Sequence, residues 1–495
     1  MLFNSFEFAI FFSVFLCLYF GSAKTVRPFV LLIASYVFYA AWRPSFLVLL
    51  VLTTLVDYST ALVIDNSKSA IRRRAALATA LSINLGVLFS VKYLDFMLSN
   101  VIGAAGLIGI ELPPLALNLV LPLGISFYTF QSVGYTLDVY NRVLPAERNL
   151  LYYATYVAFF PQLIAGPIER AAHMISQYKA PRPPSPDRIA SGLWLAGWGV
   201  FKKVCLADAV APFVNGVFAN PTSFGGSYTL LASVLFMLQI YCDFSGYSDI
   251  AIGIARMIGI DLMINFRQPY FASSLTDFWR RWHISLSTWF RDFLYIPLGG
   301  NRTSRPRWVR NTILVFGLSG FWHGANWTFL VWGLLHGTAI VFEDVLRRMR
   351  PRQKDHTAAA ASTVAAVTAT DARGQSILVR LLGSGYTLLV VLVGWVFFRA
   401  QTFPDALYVL GSWLHPGGLY YGTLKILGVS SVEILEITFN IVLLIVIDSL
   451  IAFRPKFLFR CQNSGFVSTA AAVILIYDIA LSGAFGKFDF IYFQF

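Results

Sequence analysis

The chain has 495 residues, of which 57% are apolar or aromatic and only 13% are charged, and its mean hydropathy is +0.66. Soluble globular proteins carry about 25% charged residues, so this composition excludes a soluble globular protein and predicts a polytopic membrane protein. The formal net charge of +13 indicates Lys and Arg concentrated in cytoplasmic loops, and it requires no nucleic acid partner.

Ten apolar runs are long enough to cross a bilayer, which takes about 20 residues per helix. They predict an all-α polytopic protein with roughly ten to twelve transmembrane helices. Basic residues fall in alternate loops, which predicts that these loops are cytoplasmic and that the N-terminus is extracytoplasmic. The first run carries Glu7 and lacks the basic flank of a signal peptide, so we expect an uncleaved helix there. The runs lie near residues 3–20, 28–43, 45–64, 75–97, 115–139, 189–217, 227–242, 377–399, 426–450 and 466–485.

Two further apolar segments do not fit as simple spans. Residues 151–166 lie between two loops that both carry Arg, so we interpret them as re-entrant from the cytoplasmic side. Residues 311–346 also lie between basic loops and are too long for one helix, which predicts a helical hairpin or a broken pair. Because non-helical backbone at membrane depth must be buried in protein or line a wet cavity, both segments indicate an internal site.

Residues 351–376 are small and polar, without aromatic residues or a sustained hydrophobic period. This composition is typical of a flexible linker. We expect a single membrane domain over residues 1–495 that contains this cytoplasmic linker.

The polar and ionisable residues concentrate between Asp243 and His336, a region that holds His283, His323 and His336, three of the six histidines. His323 lies in an apolar, aromatic run, where an ionisable group is costly and is a functional candidate by default. The alternative is a neutral histidine that bonds a neighbouring helix. The glycines at positions 320 and 324 favour the functional interpretation, because a residue without a side chain leaves space for a ligand.

Five motifs in this order resemble those of the membrane-bound O-acyltransferase family, and in particular its bacterial branch that O-acetylates alginate and related exopolysaccharides. They are LPLGISFYTFQ (121–131), FFPQLIAGPIER (159–170), DFSGYSDIAIG (243–253), DFWRRWHISLSTWFRDFLYIPLGGNR (277–302) and GFWHG (320–324). The resemblance extends from residue 1 to beyond 450. It implies transmembrane, re-entrant and amphipathic interfacial helices around a central tunnel.

The resemblance also implies the catalytic residues. The histidine of the W-H-G motif is His323, and a second polar position about forty residues earlier is His283, where eukaryotic members usually have Asn or Asp and His283 follows the bacterial pattern. A histidine is suited to take a hydroxyl proton at neutral pH while the hydroxyl attacks a thioester. Candidate donors to the oxyanion of the tetrahedral intermediate are His283, Asn326 and a backbone amide near Gly324.

Other polar residues have both a structural and a functional interpretation. The candidate substrate contacts are Trp322, Asn326, Arg281 and Asp243. No His or Cys joins Asp243 and Asp249 at metal-ligand spacing, so hydrogen bonding in the helix core is favoured over a metal, and no metal site is predicted. The four cysteines form no close pair, so neither a disulfide nor a zinc site is expected.

Three basic or histidine-bearing features remain. Arg280, Arg281 and Arg291 lie in a Trp-rich stretch typical of a helix at the cytoplasmic interface, with binding of coenzyme A phosphates as the alternative. The lysines at 202 and 203 either snorkel or line the core. For His336, a structural bond to another helix is favoured.

The resemblance implies an acetyltransferase of the bacterial cytoplasmic membrane that binds no cofactor. It would take acetyl from a cytoplasmic thioester, most simply acetyl-CoA, and deliver it for exopolysaccharide O-acetylation. The acceptor would be the glycan itself or a periplasmic acetyltransferase partner working with the polysaccharide secretion machinery. A transporter or flippase without chemistry leaves the W-H-G motif unexplained. A polysaccharide synthase would need a cytoplasmic nucleotide-sugar domain, for which only the short stretch 256–310 is available.

Overall fold

The computed structural model describes residues 1–117, 119–349, 377–420, 422, 430–454, 465–485 and 490–491. Within these ranges the chain forms helices and loops and contains no β-strand. The predicted linker, 351–376, lies outside the described residues. The α-helices are α1 Phe6–Gly21, α2 Arg27–Ala40, α3 Pro44–Asn66, α4 Ala70–Lys92, α5 Leu94–Leu107, α6 Ile125–Tyr140, α7 Leu150–Ala158, α8 Phe160–Leu163, α9 Ala171–Lys179, α10 Pro186–Phe201, α11 Asp208–Ala219, α12 Gly226–Met257, α13 Leu275–Trp279, α14 Ile284–Phe290, α15 Arg305–His323, α16 Trp327–Met349, α17 Ile377–Arg399, α18 Phe403–Ser412, α19 Ser431–Phe453 and α20 Gly465–Ser482.

Seven helical segments in the described part of the chain are long and apolar enough to span a membrane. They are α3, α4, α10 joined to α11 by a π-helical stretch, α12, α16, α17 and α19. Four shorter apolar helices, α1, α2, α5 and α20, accompany them. Their exposed apolar side chains need a lipid environment. The expectation of an all-α polytopic membrane protein is therefore confirmed.

The predicted run 115–139 is not one spanning helix. Residues 111–117 and 119–124 are not helical, because Pro113, Pro114 and Pro122 lack the backbone N–H that a helix interior requires. Helix α6 begins only at Ile125 and is buried along most of its length. This part of the chain is an internal helix next to the site, not a lipid-facing span.

The two irregular segments also depart from simple spans, as predicted. Residues 311–346 form most of a hairpin in which α15 and α16 are separated by Gly324, Ala325 and Asn326. Residues 151–166 form the short helices α7 and α8, which are broken at Phe159 and lie almost entirely in the protein interior.

Helix α12 is the central support of the site, and glycines bring α10 unusually close to it. A Cβ atom on Gly192 would lie 2.7 Å from the carbonyl oxygen of Gly253, and one on Gly199 would lie 2.5 Å from that of Gly246. Small residues at a crossing let helix backbones approach and pack in a membrane. This contact fixes α12, whose Phe244 and Ser248 reach the site described below.

Candidate active site

The structure brings the two predicted catalytic histidines together. His323 is the last residue of α15, His283 immediately precedes α14, and their side chains are buried, with the residues 4% and 0% exposed. The ring centroids are 6.4 Å apart, with an angle of 59° between the ring planes. Trp322 lies beside both rings, with centroid distances of 4.9 Å to His323 and 6.3 Å to His283.

Backbone hydrogen bonds to residues 265 and 267 hold the loop around His283 in place. His283 has left-handed backbone angles, with φ of 43°, which is uncommon outside glycine. The backbone N–H of Ile284 donates to the carbonyl of Asn265 at 3.0 Å, and the N–H of Arg267 donates to the carbonyl of Arg281 at 2.9 Å. Phe244 of α12 packs edge-on against the His283 ring at 4.6 Å. These contacts hold the unusual backbone conformation in place.

The side chain of Asn265, which is fully buried, sets the hydrogen bonding of His283. Its Oδ1 accepts from the backbone N–H of Ser285 at 3.2 Å and from the Ser285 hydroxyl at 2.9 Å. Its Nδ2 donates to the Ser248 hydroxyl at 3.2 Å. The backbone N–H can only donate, so the atom facing it is the amide oxygen. The same oxygen lies 3.3 Å from Nδ1 of His283, and the Ser285 hydroxyl lies 3.4 Å from it, so the contact with the amide oxygen favours the neutral tautomer with the proton on Nδ1.

This tautomer leaves Nε2 of His283 with a lone pair. Nε2 is buried and has no hydrogen-bond partner among the described residues. A buried polar atom without a partner is uncommon in a native protein. Within the described residues, Nε2 is therefore an unpaired acceptor on a ring that lies beside Trp322 and His323. Asn265, the first residue of the stretch NFRQPY (265–270), was not identified from the sequence.

Lys92 and Tyr93 anchor the end of the helix that carries His323. The ammonium of Lys92, at the end of α4, donates to the carbonyl oxygens of Trp322 and His323, each at 2.8 Å. The hydroxyl of Tyr93 donates to the carbonyl of Phe321 at 3.1 Å. The last carbonyls of a helix lack partners within the helix and carry a partial negative charge, which a cation stabilises. Lys92, which lies inside the apolar run 75–97, was not identified from the sequence.

The glycines around His323 serve helix packing. A Cβ atom on Gly324 would lie 2.1 Å from the ring of Phe329, and one on Gly320 would lie 2.2 Å from the Phe329 carbonyl oxygen. The interpretation that these glycines admit a ligand is wrong, because α16 fills the space. They allow α15 and α16 to pack tightly and so fix the position of His323.

Two cavities adjoin the site. The smaller, about 60 Å³, is lined by Trp322, His323 and the turn that leads into α6. The larger, about 600 Å³, is lined in part by Asn326 and Arg399. Lys92 and Leu121 line both cavities.

The other predicted substrate contacts are dispersed. Asn326 lines the larger cavity, where its Nδ2 donates to the carbonyl of Gln401 at 2.9 Å. Arg281 pairs with Asp277 at 3.0 Å. Asp243 lies in the interior, where its carboxylate pairs with Lys203 at 2.6 Å. The structure thus places Trp322 against the histidines and shows no contact of the Arg281 or Asp243 side chains with them.

The buried lysines are ion-paired. The ammonium of Lys203 also pairs with Asp208 at 2.8 Å, and Lys202 pairs with Asp249 at 2.6 Å. These lysines line the core and do not snorkel. In the part of the chain that the structure describes, no group of three or more His, Cys, Asp or Glu is arranged to hold a metal.

Two expectations about the aromatic region are wrong. The Trp-rich stretch is not one helix, because α13 and α14 are short, a π-helical stretch follows, and Trp282 is only 1% exposed. His336 is fully buried and, within the described residues, neither ring nitrogen has a hydrogen-bond partner. Its ring packs at 5.1 Å from Trp332, and a Cβ atom on Gly394 would lie 2.8 Å from its Nε2. The aromatic side chains around His336 provide no hydrogen-bond partner for its ring nitrogens.

Comparison with known proteins assigns the family. The model of the membrane-bound O-acyltransferase family matches residues 141–368, which include both histidines. The probable alginate O-acetylase of Azotobacter vinelandii is 41% identical over 82% of this chain and 77% of its own length. The peptidoglycan O-acetyltransferase of Helicobacter pylori is 37% identical over 77% and 72%. The teichoic acid D-alanyltransferase of Streptococcus thermophilus is 31% identical over 47% and 59%. The chain belongs to the membrane-bound O-acyltransferase family and is an O-acyltransferase.

Proposed function

We propose that this chain is an acetyltransferase of the bacterial inner membrane, with its N-terminus extracytoplasmic. It takes acetyl from a cytoplasmic thioester, most simply acetyl-CoA, for the O-acetylation of an exopolysaccharide such as alginate. The acceptor hydroxyl belongs to the glycan or to a periplasmic partner protein that passes the acetyl group on. The names of the two relatives that transfer acetyl groups support this class of reaction.

The single observation that carries the proposal is the buried histidine pair beside a cavity. In the proposed reaction His323 removes the proton from the acceptor hydroxyl as its oxygen attacks the thioester carbonyl. The carbon–sulfur bond then breaks, the thiolate leaves, and the proton that His323 holds is passed to the thiolate.

The hydrogen bonds around His283 give the two histidine rings different roles in the proposed reaction. With its Nδ1 proton directed at Asn265, neutral His283 accepts a hydrogen bond at Nε2 and cannot donate one there. It therefore orients the acceptor hydroxyl or the His323 ring, and it does not serve as the oxyanion donor. Asn326 and a backbone amide near Gly324 remain the candidates for that role. Trp322 packs against both histidine rings at one side of the site.

The proposal is tested with membranes from the producing cell, in which the native acceptor is present. Radiolabelled acetyl-CoA is added, and the formation of acetyl esters is followed in the wild type and in His323→Ala. We expect ester formation that depends on the protein and is lost in the variant. Transfer that is independent of the protein, or a thioester that is not consumed, would contradict the proposal.

A further inference from the structure

A groove runs along the outer face of the hairpin of α15 and α16. Its volume is about 540 Å³, which is within the range of about 300 to 1,000 Å³ that small-molecule sites occupy. Leucines on its rim are exposed on the surface of the described part of the chain, so the groove opens outward. Its lining includes Arg310, Leu314, Gly317, Leu318 and Phe321 of α15 and Leu334 of α16. All its lining residues except Arg310 are apolar.

The groove has the length of one acyl chain. From Arg310 to Phe321 helix α15 advances eleven residues, which is about 16 Å at the rise of an α-helix. A bilayer has a hydrocarbon core of about 30 Å, so one leaflet is about 15 Å deep. The other wall of the groove belongs to α16, which is long and apolar enough to span a membrane. The groove therefore lies at membrane depth and extends over one leaflet.

A guanidinium without an acidic partner lies at one end of the groove. Nε and Nη2 of Arg310 donate to Oδ1 of Asn311 at 3.3 and 3.1 Å, and Nδ2 of Asn311 donates to the carbonyl of Leu298 at 2.7 Å. Arg305, at the start of the same helix, pairs with Asp344, whereas Arg310 pairs with no carboxylate of the described residues. Asn311 therefore orients the Arg310 guanidinium and leaves its charge uncompensated.

The side chains along the groove do not suit a transmembrane helix of another protein. Helices approach closely in a membrane where small residues recur every four positions. Gly317 lies between Ile313 and Phe321 on its face of α15, and both of these large side chains also line the groove. The space at Gly317 is thus confined to a single residue, which suits a flexible hydrocarbon chain better than a second helix backbone.

We propose that the groove between α15 and α16 binds an anionic phospholipid, with one acyl chain over Gly317 and the phosphate on Arg310. A guanidinium can donate two parallel hydrogen bonds to phosphate oxygens. Anionic lipids are attracted to basic residues at the cytoplasmic surface. The basic loop before α15 is predicted to be cytoplasmic, so the lipid belongs to the cytoplasmic leaflet.

The bound lipid also supports the helix end that carries His323. Phe321 lines the far end of the groove and lies two residues before His323. On its other side the Phe321 ring stacks on Tyr93 at 4.5 Å. The acyl chain therefore packs against a side chain that adjoins the candidate active site, and it occupies none of the two cavities beside the histidines.

The test labels the groove directly, so it does not depend on turnover. The full-length protein is placed in nanodiscs of phosphatidylcholine with a trace of phosphatidylglycerol that carries a diazirine at the end of one acyl chain. The comparison probe is phosphatidylcholine with the same photoreactive chain. After irradiation, mass spectrometry of peptides measures the lipid attached to α15 and α16. The variants are Arg310→Gln, Gly317→Leu and the control Arg72→Gln, which changes an exposed arginine of α4 that does not line the groove.

We expect phosphatidylglycerol to label the wild-type groove about fivefold more than phosphatidylcholine, as one basic residue near the membrane surface predicts. Arg310→Gln should lose this preference, and Arg72→Gln should keep it. A Cβ atom on Gly317 would lie 3.4 Å from Leu334, which is an ordinary contact, so the longer side chain of Gly317→Leu extends into the groove and should lower labelling by both probes.

Three results would overturn the proposal. They are equal labelling of the wild type by the two probes, a full preference in Arg310→Gln, and a groove that neither probe labels, which would indicate that a protein segment covers it. A second measurement uses unlabelled lipid. Phosphatidylglycerol should raise the Tm of the wild type more than that of Arg310→Gln, because a ligand stabilises the state that binds it. An equal rise in both would place the lipid elsewhere and contradict the site.

Discussion

Replacing Asn265 tests whether the orientation of the His283 ring controls the reaction. In Asn265→Ala, the backbone N–H and hydroxyl of Ser285 and Nδ1 of His283 all lose the oxygen that they share. The imidazole is then free to carry its proton on Nε2, which removes the lone pair from the substrate side. Asn265→Asp keeps an oxygen that accepts from the same three donors, and it replaces the amide that donates to Ser248 with a carboxylate oxygen that accepts and carries charge. The two variants therefore separate the orienting oxygen from the rest of the side chain.

The size of the effect follows from the loss of the one bond that orients the ring, between Oδ1 of Asn265 and Nδ1 of His283. A buried donor left without a partner costs about 1–3 kcal/mol, and each 1.36 kcal/mol of lost transition-state stabilisation is a tenfold change in rate. We therefore expect kcat of Asn265→Ala to fall by about 10- to 100-fold. The KM for the acetyl donor should change little, because Asn265 is fully buried and contacts His283, not the substrate.

The assay uses membrane vesicles from the producing cell with radiolabelled acetyl-CoA at varied concentration. Rates are normalised to the amount of folded protein. Ser248→Ala is the matched control, since it removes a single hydrogen bond of the same amide; it should stay within about threefold of the wild type. Asn265→Asp should exceed Asn265→Ala in kcat. Near-normal kcat in Asn265→Ala, or equal loss in Ala and Asp, would refute the reasoning.

Three other changes have expected outcomes. Lys92→Met removes both hydrogen bonds to the carbonyls of α15 and should lower kcat about tenfold or more, while Lys92→Arg restores part of it; equal rates in the two variants would argue against a positioning role. His283→Asn should retain more transfer activity than His283→Ala in purified protein, because Asn also accepts a hydrogen bond; equal and complete loss would mean that His283 exchanges protons itself. Deleting residues 357–370 should leave O-acetylation intact in cells, because this tract lacks apolar surface to pack; loss of activity with normal membrane insertion would reveal a binding element there.

Much of the architecture could be predicted from hydrophobicity and charge. The apolar runs located nearly all the long helices, and the basic flanks of 311–346 indicated the hairpin of α15 and α16. The start of α6 was missed because hydropathy weighs Leu119 and Leu121 as span residues and is insensitive to the neighbouring prolines. The length of an apolar run reflects hydrophobicity alone, whereas proline determines whether the backbone can be helical.

The site was predictable where a motif carried it. His323, His283 and Trp322 were identified from their neighbours in sequence, and the structure brings them together. Lys92 contacts a residue 231 positions away in the sequence, and Asn265 contacts one 18 positions away. No local sequence pattern indicates such partners. Gly324 was misinterpreted because the sequence does not distinguish a glycine that leaves space for a ligand from one that leaves space for a neighbouring side chain, here Phe329.

The measurement that tests the central claim most directly is O-acetyl analysis of the secreted polymer from cells that carry His323→Ala. Mass spectrometry compares this polymer with that of wild-type cells at equal levels of the membrane protein. His336→Ala is the control, because it removes an equally buried histidine that packs against aromatic rings and should lower protein yield without changing the activity per molecule. Removal of a general base costs about 100- to 10,000-fold, so we predict that O-acetyl groups disappear in His323→Ala. Near-normal acetylation in that variant would contradict the assignment of His323 as the base.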